Sequence, residues 1–239
     1  MAISRLHNNP KGREETEWAN FWYSVANREE KGKILLIGDS NGRKIRSILE
    51  YMSGKHVDFF GTSAGLHDML FHSQLQAFFS TISEFYYDYI YVWVGYHSLI
   101  NDEGDKYGDE DYIKFENDII KLIDILRCYS TSIILCSALF PVIKKDHQNL
   151  IDRIWFHLKP LCRMFKENID WNDSSVIEKK NQVLEEIANK TDLMFCDINN
   201  YMLGRSQRYK TRCVHYDRIH YEGKAYPYIV RLMLECIKK

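Results

Sequence analysis

The stretch Lys33–Met52, KILLIGDSNGRKIRSILEYM, places a fully apolar run directly before a glycine, a short polar turn and an amphipathic segment. The run at 33–37 has the length and composition of a strand that is buried on both faces, as in parallel sheets. After the turn, apolar residues recur at helical spacing, at Ile45, Ile48, Leu49 and Met52. A buried strand followed by a helix is the repeating unit of a parallel α/β sheet.

The same alternation runs through the rest of the chain. Further strands are predicted at 57–60, 89–94, 132–139 and 193–198, and helices at 41–52, 66–85, 111–128, 174–190 and 222–237. Five parallel strands covered by helices predict an α/β fold, a flavodoxin-like three-layer α/β/α sandwich. Ligands of such sheets bind at the carboxyl ends of the strands, so the residues directly after each strand are the candidates for function.

Composition excludes several classes of protein. The 239 residues are 45% hydrophobic, which is enough for a core, and carry a formal net charge of −1, which does not favour general nucleic-acid binding. The longest apolar runs have the length of strands, so no membrane span is expected. The polar start of the chain does not resemble a signal peptide. The six cysteines have no C-x-x-C spacing, which favours reduced thiols and a cytoplasmic location.

Two segments do not fit the alternation of strands and helices. Residues 15–30 carry Trp18, Phe21 and Trp22 at helical spacing, which predicts an N-terminal helical extension, residues 1–32, packed on a domain at 33–239. Residues 142–171 form an insertion after the fourth strand. It is interpreted either as a pocket wall or as an extra packing helix. Its aromatic residues are the better candidates for contacting a ligand, at Trp155, Phe156 and Trp171.

A serine lies in the turn after the first strand, GDSNG at 38–42. This turn matches neither the P-loop pattern nor the dinucleotide-binding pattern. A serine at a helix N-terminus is placed where developing negative charge is favoured, and as a nucleophile it needs a base that a carboxylate orients. The simpler alternative is that Ser40 only caps the helix.

Asp217 and His220 can supply the base and its orienting carboxylate. A carboxylate three residues before a histidine on one turn can reach Nδ1–H, which leaves Nε2 free to take the serine proton. No acidic residue precedes His215 at the same spacing, so His215 is interpreted as a surface or rim residue. The other histidines share no metal-ligand spacing with a cysteine or a second histidine, so no metal site is expected.

Together these segments resemble the SGNH (GDSL-type) hydrolases and acyltransferases. GDSN at 38–41 is similar to the first block of that family, and DRIHYEGKAY at 217–226 is similar to its last. GTSAG at 61–65 falls where the family has a glycine whose N–H joins the oxyanion hole, and spacing favours Gly65 over Gly61. The segment 177–198 looks like the helix–strand unit before the last block. The resemblance covers residues 33–237.

One block departs from the family pattern. After the third strand the family usually has G-x-N-D, whereas this chain has Gly95-Tyr96-His97-Ser98. His97 therefore stands where the asparagine that donates to the oxyanion is expected. A neutral imidazole can donate one hydrogen bond, so His97 is one interpretation of the missing donor. Asn101 is a second, and an oxyanion hole without a side-chain donor is a third.

The resemblance implies a serine ester hydrolase that works without a cofactor, but it does not identify the substrate. The aromatic residues of the insertion and the lack of a strongly apolar lid favour a small-molecule or carbohydrate ester. A small acyl group, acetyl, on a carbohydrate is the expected substrate. Three alternatives stay open: an O-acyltransferase, a non-catalytic binding module on the same scaffold, and a nucleotide or phosphate binder. The implied catalytic residues are Ser40, His220 and Asp217, and the implied oxyanion donors are Ser40, Gly65 and His97. Asp39 is expected to hold the turn, and Asn41 and Trp155 to support the site or bind substrate.

Overall fold

One sheet of six strands organises the residues that the computed structural model describes, which are 19–24, 32–80, 82–94, 108–138, 174–209, 221 and 223–238. The strands are β1 (Ala19–Trp22), β2 (Lys33–Gly38), β3 (His56–Thr62), β4 (Tyr89–Trp93), β5 (Ile133–Cys136) and β6 (Met194–Cys196). They lie in the order β1-β3-β2-β4-β5-β6. β1 is antiparallel to β3, and every other pair of neighbours is parallel. The prediction of five parallel strands is confirmed.

The strand order reverses direction between β2 and β4. From β2 the chain crosses to β3 on one side, and then returns to β4 on the other side of β2. The register pairs Gly38 at the end of β2 with Gly61 on β3 and with Trp93 on β4. At such a switch point the two loops leave in opposite directions and open a crevice at the carboxyl ends of the strands. The segment after Gly38 therefore begins where this fold binds ligands.

Helices cover both faces of the sheet. They are α1 (Ser40–Ser53), α2 (Met69–Phe79), α3 (Asp109–Leu126), α4 (Ser174–Thr191), α5 (Ile198–Tyr209) and α6 (Tyr226–Cys236), with a 3₁₀ turn at Gly223–Ala225. Successive strand residues point to opposite faces. Accordingly, Ile34 and Leu36 pack in one core with residues of α1, α5 and α6, while Leu35 and Ile37 pack in a second core with residues of α2, α3 and α4. The expected three-layer α/β/α sandwich is confirmed.

The prediction of a helix over residues 15–30 is wrong at Ala19–Trp22, because these residues form the edge strand β1. Phe21 and Trp22 point to opposite sides, as neighbours on a strand do. The ring of Phe21 lies 5.6 Å from that of Phe60, whereas the Trp22 ring lies 4.4 Å from the Arg46 guanidinium on α1. Aromatic residues spaced three and four apart fit a helix, but two neighbouring aromatics also fit a strand that is packed on both sides. The rest of the predicted extension, residues 1–18 and 25–31, lies outside the described residues.

Ser24, two residues after β1, is tied to the body of the protein by a buried polar cluster. Its backbone N–H donates to Oδ1 of Asp58 at 2.6 Å, and Oδ2 of Asp58 accepts from the Tyr87 hydroxyl at 3.0 Å. The Ser24 hydroxyl lies 2.9 Å from both Oε1 of Glu50 and Nδ1 of His56. Because a carboxylate only accepts, the serine proton goes to Glu50 and the hydrogen on Nδ1 of His56 points to Ser24. These contacts fix the edge strand at the amino end of β3.

Other predicted elements differ in their bounds. The helix predicted at 66–85 begins at Met69, because the Asp68 carboxylate accepts from the N–H of Leu70 at 2.9 Å and caps the helix there. The helix α5 was not predicted at all. The insertion at 142–171 lies outside the described residues. Within the described ranges, no helix combines the length and the apolar character that crossing a membrane requires.

Candidate functional site

The turn after β2 is organised by Asp39. Its carboxylate accepts from the N–H of Asn41 at 2.8 Å, and its backbone carbonyl accepts from the N–H of Arg43 at 3.0 Å. Asp39 is thus the N-cap of α1, and the alternative that Ser40 fills that role is wrong. Ser40 is the first residue of the helix, and only 6% of it is exposed. A hydroxyl at this position lies in the positive field of the helix N-terminus.

The first turn of α1 packs directly on β3 because position 42 is a glycine. A Cβ atom on Gly42 would lie 3.1 Å from Cε2 of Phe59, closer than nearly all real Cβ contacts. With any larger residue at position 42, the Phe59 ring or the start of the helix would have to shift by a few tenths of an ångström. The close approach keeps Ser40 at the carboxyl ends of β2 and β3, beside the switch point.

The segment after β3 brings Gly65 to the same edge of the sheet. Gly61 lies inside β3, paired with Gly38 of β2 and Asn20 of β1, whereas Gly65 follows the end of the strand. Gly65 is buried, and its carbonyl accepts from the N–H of Asp68 at 2.9 Å. A glycine beyond the strand end, in a loop, is the more suitable of the two to offer its N–H to a ligand.

Asn41 connects this turn with the C-terminal part of the chain. Its side-chain oxygen Oδ1 accepts from the backbone N–H of Tyr221 and from the hydroxyl of Tyr226, each at 3.4 Å. Asn41 is fully buried and directly follows Ser40, while Tyr221 directly follows His220. The structure therefore joins the chain neighbour of the predicted nucleophile to the chain neighbour of the predicted base.

Side chains also connect the ends of β4, β5 and β6. Nε1 of Trp93 donates to the carbonyl of Ser137 at 3.1 Å, and the Ser137 hydroxyl donates to Oδ1 of Asp197 at 3.2 Å. The Asn181 amide forms two hydrogen bonds with Ala138, both 2.8 Å long. Trp93, Ser137 and Asn181 are buried. This row of contacts holds the carboxyl edge of the sheet in one shape, as a preorganised site requires.

A buried amine lies next to Asn181 on the same helix. Lys180 is 1% exposed, and its Nζ lies 5.0 Å from the centre of the Phe115 ring on α3. Burial lowers the pKa of this lysine to about 7, although the negative charge of Asp111 raises it in part. Burial thus disfavours the ammonium form in the folded protein relative to the unfolded chain.

The remaining predicted site residues, His97, Asp217, His220 and Trp155, lie outside the described residues, as do Asn101, Phe156 and Trp171. The structure thus places Ser40, Asp39, Asn41 and Gly65 of the predicted set. In the ranges that it describes, no group of three or more histidine, cysteine, aspartate or glutamate side chains could hold a metal ion.

Four supporting residues were missed by sequence reasoning: Trp93, Ser137, Asn181 and Tyr221. All four are buried; Trp93 and Ser137 lie at strand ends, and Asn181 and Tyr221 contact residues there. Two of them carried a weak signal. Ser137 is a polar residue at the end of an apolar run, and Asn181 lies among apolar residues at helical spacing, where a polar residue needs a buried partner.

Comparison with known proteins shows the fold. No protein-family model matches the chain, and no curated protein matches it by sequence. A lipolytic protein of the G-D-S-L family from Veillonella parvula matches in structure with a TM-score of 0.58 at 16% identity, over 87% of this chain and 98% of that one. The acetyl xylan esterase AlAXEase matches with a TM-score of 0.57 at 14% identity, over 86% and 99% of the two chains. Axe2, an acetylxylan esterase from Geobacillus stearothermophilus, matches with a TM-score of 0.57 at 13% identity, over 87% of this chain and 94% of that one.

These proteins share the sheet and its helices with this chain over nearly their full length. The first of them is named for the GDSL motif, which GDSN at 38–41 resembles. The chain therefore has the fold of the SGNH, or GDSL-type, hydrolases.

Proposed function

We propose that the protein is a serine ester hydrolase that removes a small acyl group, acetyl, from a carbohydrate ester. Ser40 is the nucleophile, His220 is the general base, and Asp217 orients and stabilises the histidine. The backbone N–H groups of Ser40 and Gly65, with the side chain of His97, hold the oxyanion. The reaction needs no cofactor.

The contact between Asn41 and Tyr221 carries this proposal. It connects the turn of Ser40 to the peptide nitrogen of Tyr221, which is bonded covalently to the carbonyl carbon of His220. A serine at a helix N-terminus is not a site by itself. The contact supports the proposal because it brings the chain neighbour of the serine to the chain neighbour of a D-x-x-H histidine, across 180 residues, and a nucleophile needs its base nearby.

The chemistry follows the acyl-enzyme route. Oγ of Ser40 attacks the ester carbonyl carbon while its proton passes to Nε2 of His220, and the carbonyl π electrons move to the oxygen. The C–O bond to the alcohol then breaks, and the leaving oxygen takes the proton from His220. Water attacks the acyl-serine with the same base, which releases the carboxylic acid and restores the Ser40 hydroxyl.

The choice of substrate rests on the structural neighbours and on aromatic residues. Two neighbours are named as acetylxylan esterases, and the matched set includes catalytic mutants of Axe2 in which a serine or an aspartate is replaced by alanine. Aromatic side chains such as Trp155 offer flat apolar faces against which a sugar ring can pack. The sequence contains no strongly apolar segment of the kind that would cover a long acyl chain, which favours a short acyl group.

A fluorophosphonate probe tests the nucleophile. We expect covalent labelling of the wild-type protein at Ser40, located by peptide mass spectrometry, and no labelling of Ser40→Ala. His220→Ala should be labelled at least 10³-fold more slowly, because the hydroxyl loses its base. Two matched controls, Ser63→Ala at the next strand end and His215→Ala, should be labelled at the wild-type rate.

Acetate release from acetylated xylooligosaccharides, compared with 4-nitrophenyl acetate and octanoate, tests the substrate class. Preference for acetyl over octanoyl esters by 10-fold or more supports a small acyl pocket. Transfer of acetyl to an added sugar, without acetate release, would replace the hydrolase by an O-acyltransferase. A folded wild-type protein that the probe does not label would overturn the proposal and favour a binding module.

A further inference from the structure

The side chain of Asn41 accepts two hydrogen bonds from residues far along the chain. Tyr221 donates its backbone N–H and Tyr226 donates its hydroxyl, both to Oδ1 at 3.4 Å. The donors lie 180 and 185 residues away. Tyr221 precedes the 3₁₀ turn that leads into α6, and Tyr226 begins that helix. One buried amide oxygen thus joins the start of α1 to the start of α6.

Asn41 is itself held in place from the opposite side. Its backbone N–H donates to the Asp39 carboxylate at 2.8 Å, and the first turn of α1 cannot move away from β3 without leaving its packing on Phe59. Asn41 is completely buried, so water does not compete for Oδ1. The amide oxygen is a fixed point beside Ser40.

Tyr221 is held by its ring as well as by its backbone. It is 2% exposed, and its ring centre lies 6.0 Å from that of Trp93 at the end of β4 and 5.9 Å from that of Tyr226. These distances are typical of aromatic pairs that contribute to packing. The rings fix where Tyr221 lies, and the bond to Asn41 fixes the orientation of its peptide group.

We propose that Asn41 is a positioning residue that sets the His220 imidazole relative to Ser40 through the peptide group of Tyr221. This inference rests on the proposed function. The Tyr221 nitrogen is bonded to the carbonyl carbon of His220, so rotation of that peptide moves the histidine directly. Both distances, 3.4 Å, are longer than those of typical hydrogen bonds. We expect that loss of the acceptor leaves this peptide group free to rotate.

The test compares two replacements of Asn41. Asn41→Leu keeps the approximate volume and removes the acceptor, while Asn41→Asp keeps an acceptor oxygen and introduces a carboxyl group. For Asn41→Leu we expect kcat on 4-nitrophenyl acetate to fall about 10–100-fold with KM within threefold, because misplacement by 1 Å can cost 10²-fold. The rate of fluorophosphonate labelling at Ser40 should fall by the same factor.

Asn41→Asp tests whether an acceptor oxygen is what matters at this position, because the carboxyl group keeps one. A carboxylate near the segment of His220 favours the protonated imidazole, so the acidic limb of the kcat/KM profile should shift to higher pH. At any pH above the shifted acidic limb, kcat of Asn41→Asp should exceed kcat of Asn41→Leu. Tyr226→Phe, which removes only the hydroxyl donor, should lose less activity than Asn41→Leu.

The outcomes separate the two proposals. Labelling of folded Asn41→Leu at the wild-type rate would overturn the positioning role and leave the proposed function standing. If Asn41→Leu does not fold, Asn41→Asp decides instead: a labelling rate 10-fold or more below that of the wild type, at a pH above its acidic limb, would overturn the role because the acceptor oxygen is kept. No labelling of the folded wild-type protein would remove the proposed function, and the positioning role with it.

Discussion

The side chain of Asn181 binds Ala138 as a neighbouring strand would, because it accepts from the backbone N–H and donates to the backbone carbonyl, each at 2.8 Å. Ala138 lies just beyond β5, where the ladder with β6 has ended. The amide of a helix residue therefore continues the hydrogen bonding of the sheet at its carboxyl edge. Both residues are buried, so the two backbone groups have no access to water at this point.

Asn181→Ala is expected to lower the free energy of unfolding by about 2–4 kcal/mol, because two buried backbone groups lose their partner and each costs about 1–3 kcal/mol. Urea denaturation measures the change. The neighbouring exposed residue offers a matched control, since Gln182→Ala should change the free energy of unfolding by less than about 0.5 kcal/mol. Equal stability of the two variants would show that the amide of Asn181 contributes nothing.

The buried carboxylate of Asp58 gives a second prediction, at the opposite edge of the sheet. Asp58→Asn places an NH₂ group against one of two donors, the N–H of Ser24 or the hydroxyl of Tyr87. We expect a loss of about 2–3 kcal/mol in the free energy of unfolding, typical of hydrogen bonds to a charged group. Tyr87→Phe, which keeps the carboxylate and its bond to Ser24, should cost less. A stable Asp58→Asn would mean that this cluster does not hold β1.

Lys180 predicts a dependence of stability on pH. Its pKa is about 7 in the folded protein against an ordinary value of 10.5, so between these values the unfolded chain binds more protons. The contribution of this group to stability therefore rises from about pH 7 to about pH 10.5. Lys180→Met removes the buried charge. It should increase the free energy of unfolding by about 1–4 kcal/mol at pH 6, and by progressively less above pH 7.

Urea denaturation of both proteins at pH 6, 8 and 10 checks this expectation, because other titrating groups cancel in the difference. Lys179→Met provides the control on the same helix. Lys179 is half exposed and pairs with Asp109 at 2.6 Å, and such surface pairs contribute about 0–1 kcal/mol. A difference between wild type and Lys180→Met that does not vary with pH would contradict the prediction.

The identity of the third oxyanion donor can be decided by activity. If His97 donates, His97→Ala should lower kcat by about 10²–10³-fold, the usual effect of removing one such donor. His97→Asn should retain most of the activity, because an amide can donate in the same direction. Asn101→Ala should leave kcat close to that of the wild type. A loss of activity in Asn101→Ala but not in His97→Ala would assign the side-chain donor to Asn101. Full activity of both alanine variants would mean that only backbone N–H groups hold the oxyanion.

The parallel part of the fold was predictable because its signals are local. Each buried strand is an apolar run, such as KILLI before Gly38, and each helix has its own periodicity. The strand β1 was not predictable, because the aromatic residues around Phe21 fit helical spacing. Only the packing of Phe21 on Phe60 and of Trp22 on Arg46 distinguishes a strand from a helix here. α5 was missed because its sequence, INNYMLGRSQRY, is mostly polar and contains a glycine.

The positions of Ser40 and Gly65 beyond the ends of two strands were predictable, because each follows an apolar run in the sequence. Its supporting contacts were not. The bonds from Asn41 to Tyr221 and from Asn181 to Ala138 join residues 180 and 43 positions apart. The local sequence around either asparagine does not indicate which backbone group its side chain binds. Such contacts depend on how the strand ends and helices meet after folding.

The position of β1 has a consequence for handling the protein. β1 covers the outer side of β3, whose residues are all buried in the full chain. A protein shortened to begin at residue 32 would keep every parallel strand, but it would present the backbone of β3 and the ring of Phe60 to solvent. Exposed edges of this kind pair with other copies and aggregate. We therefore expect soluble expression of the sheet to depend on an edge strand that takes no part in the proposed chemistry.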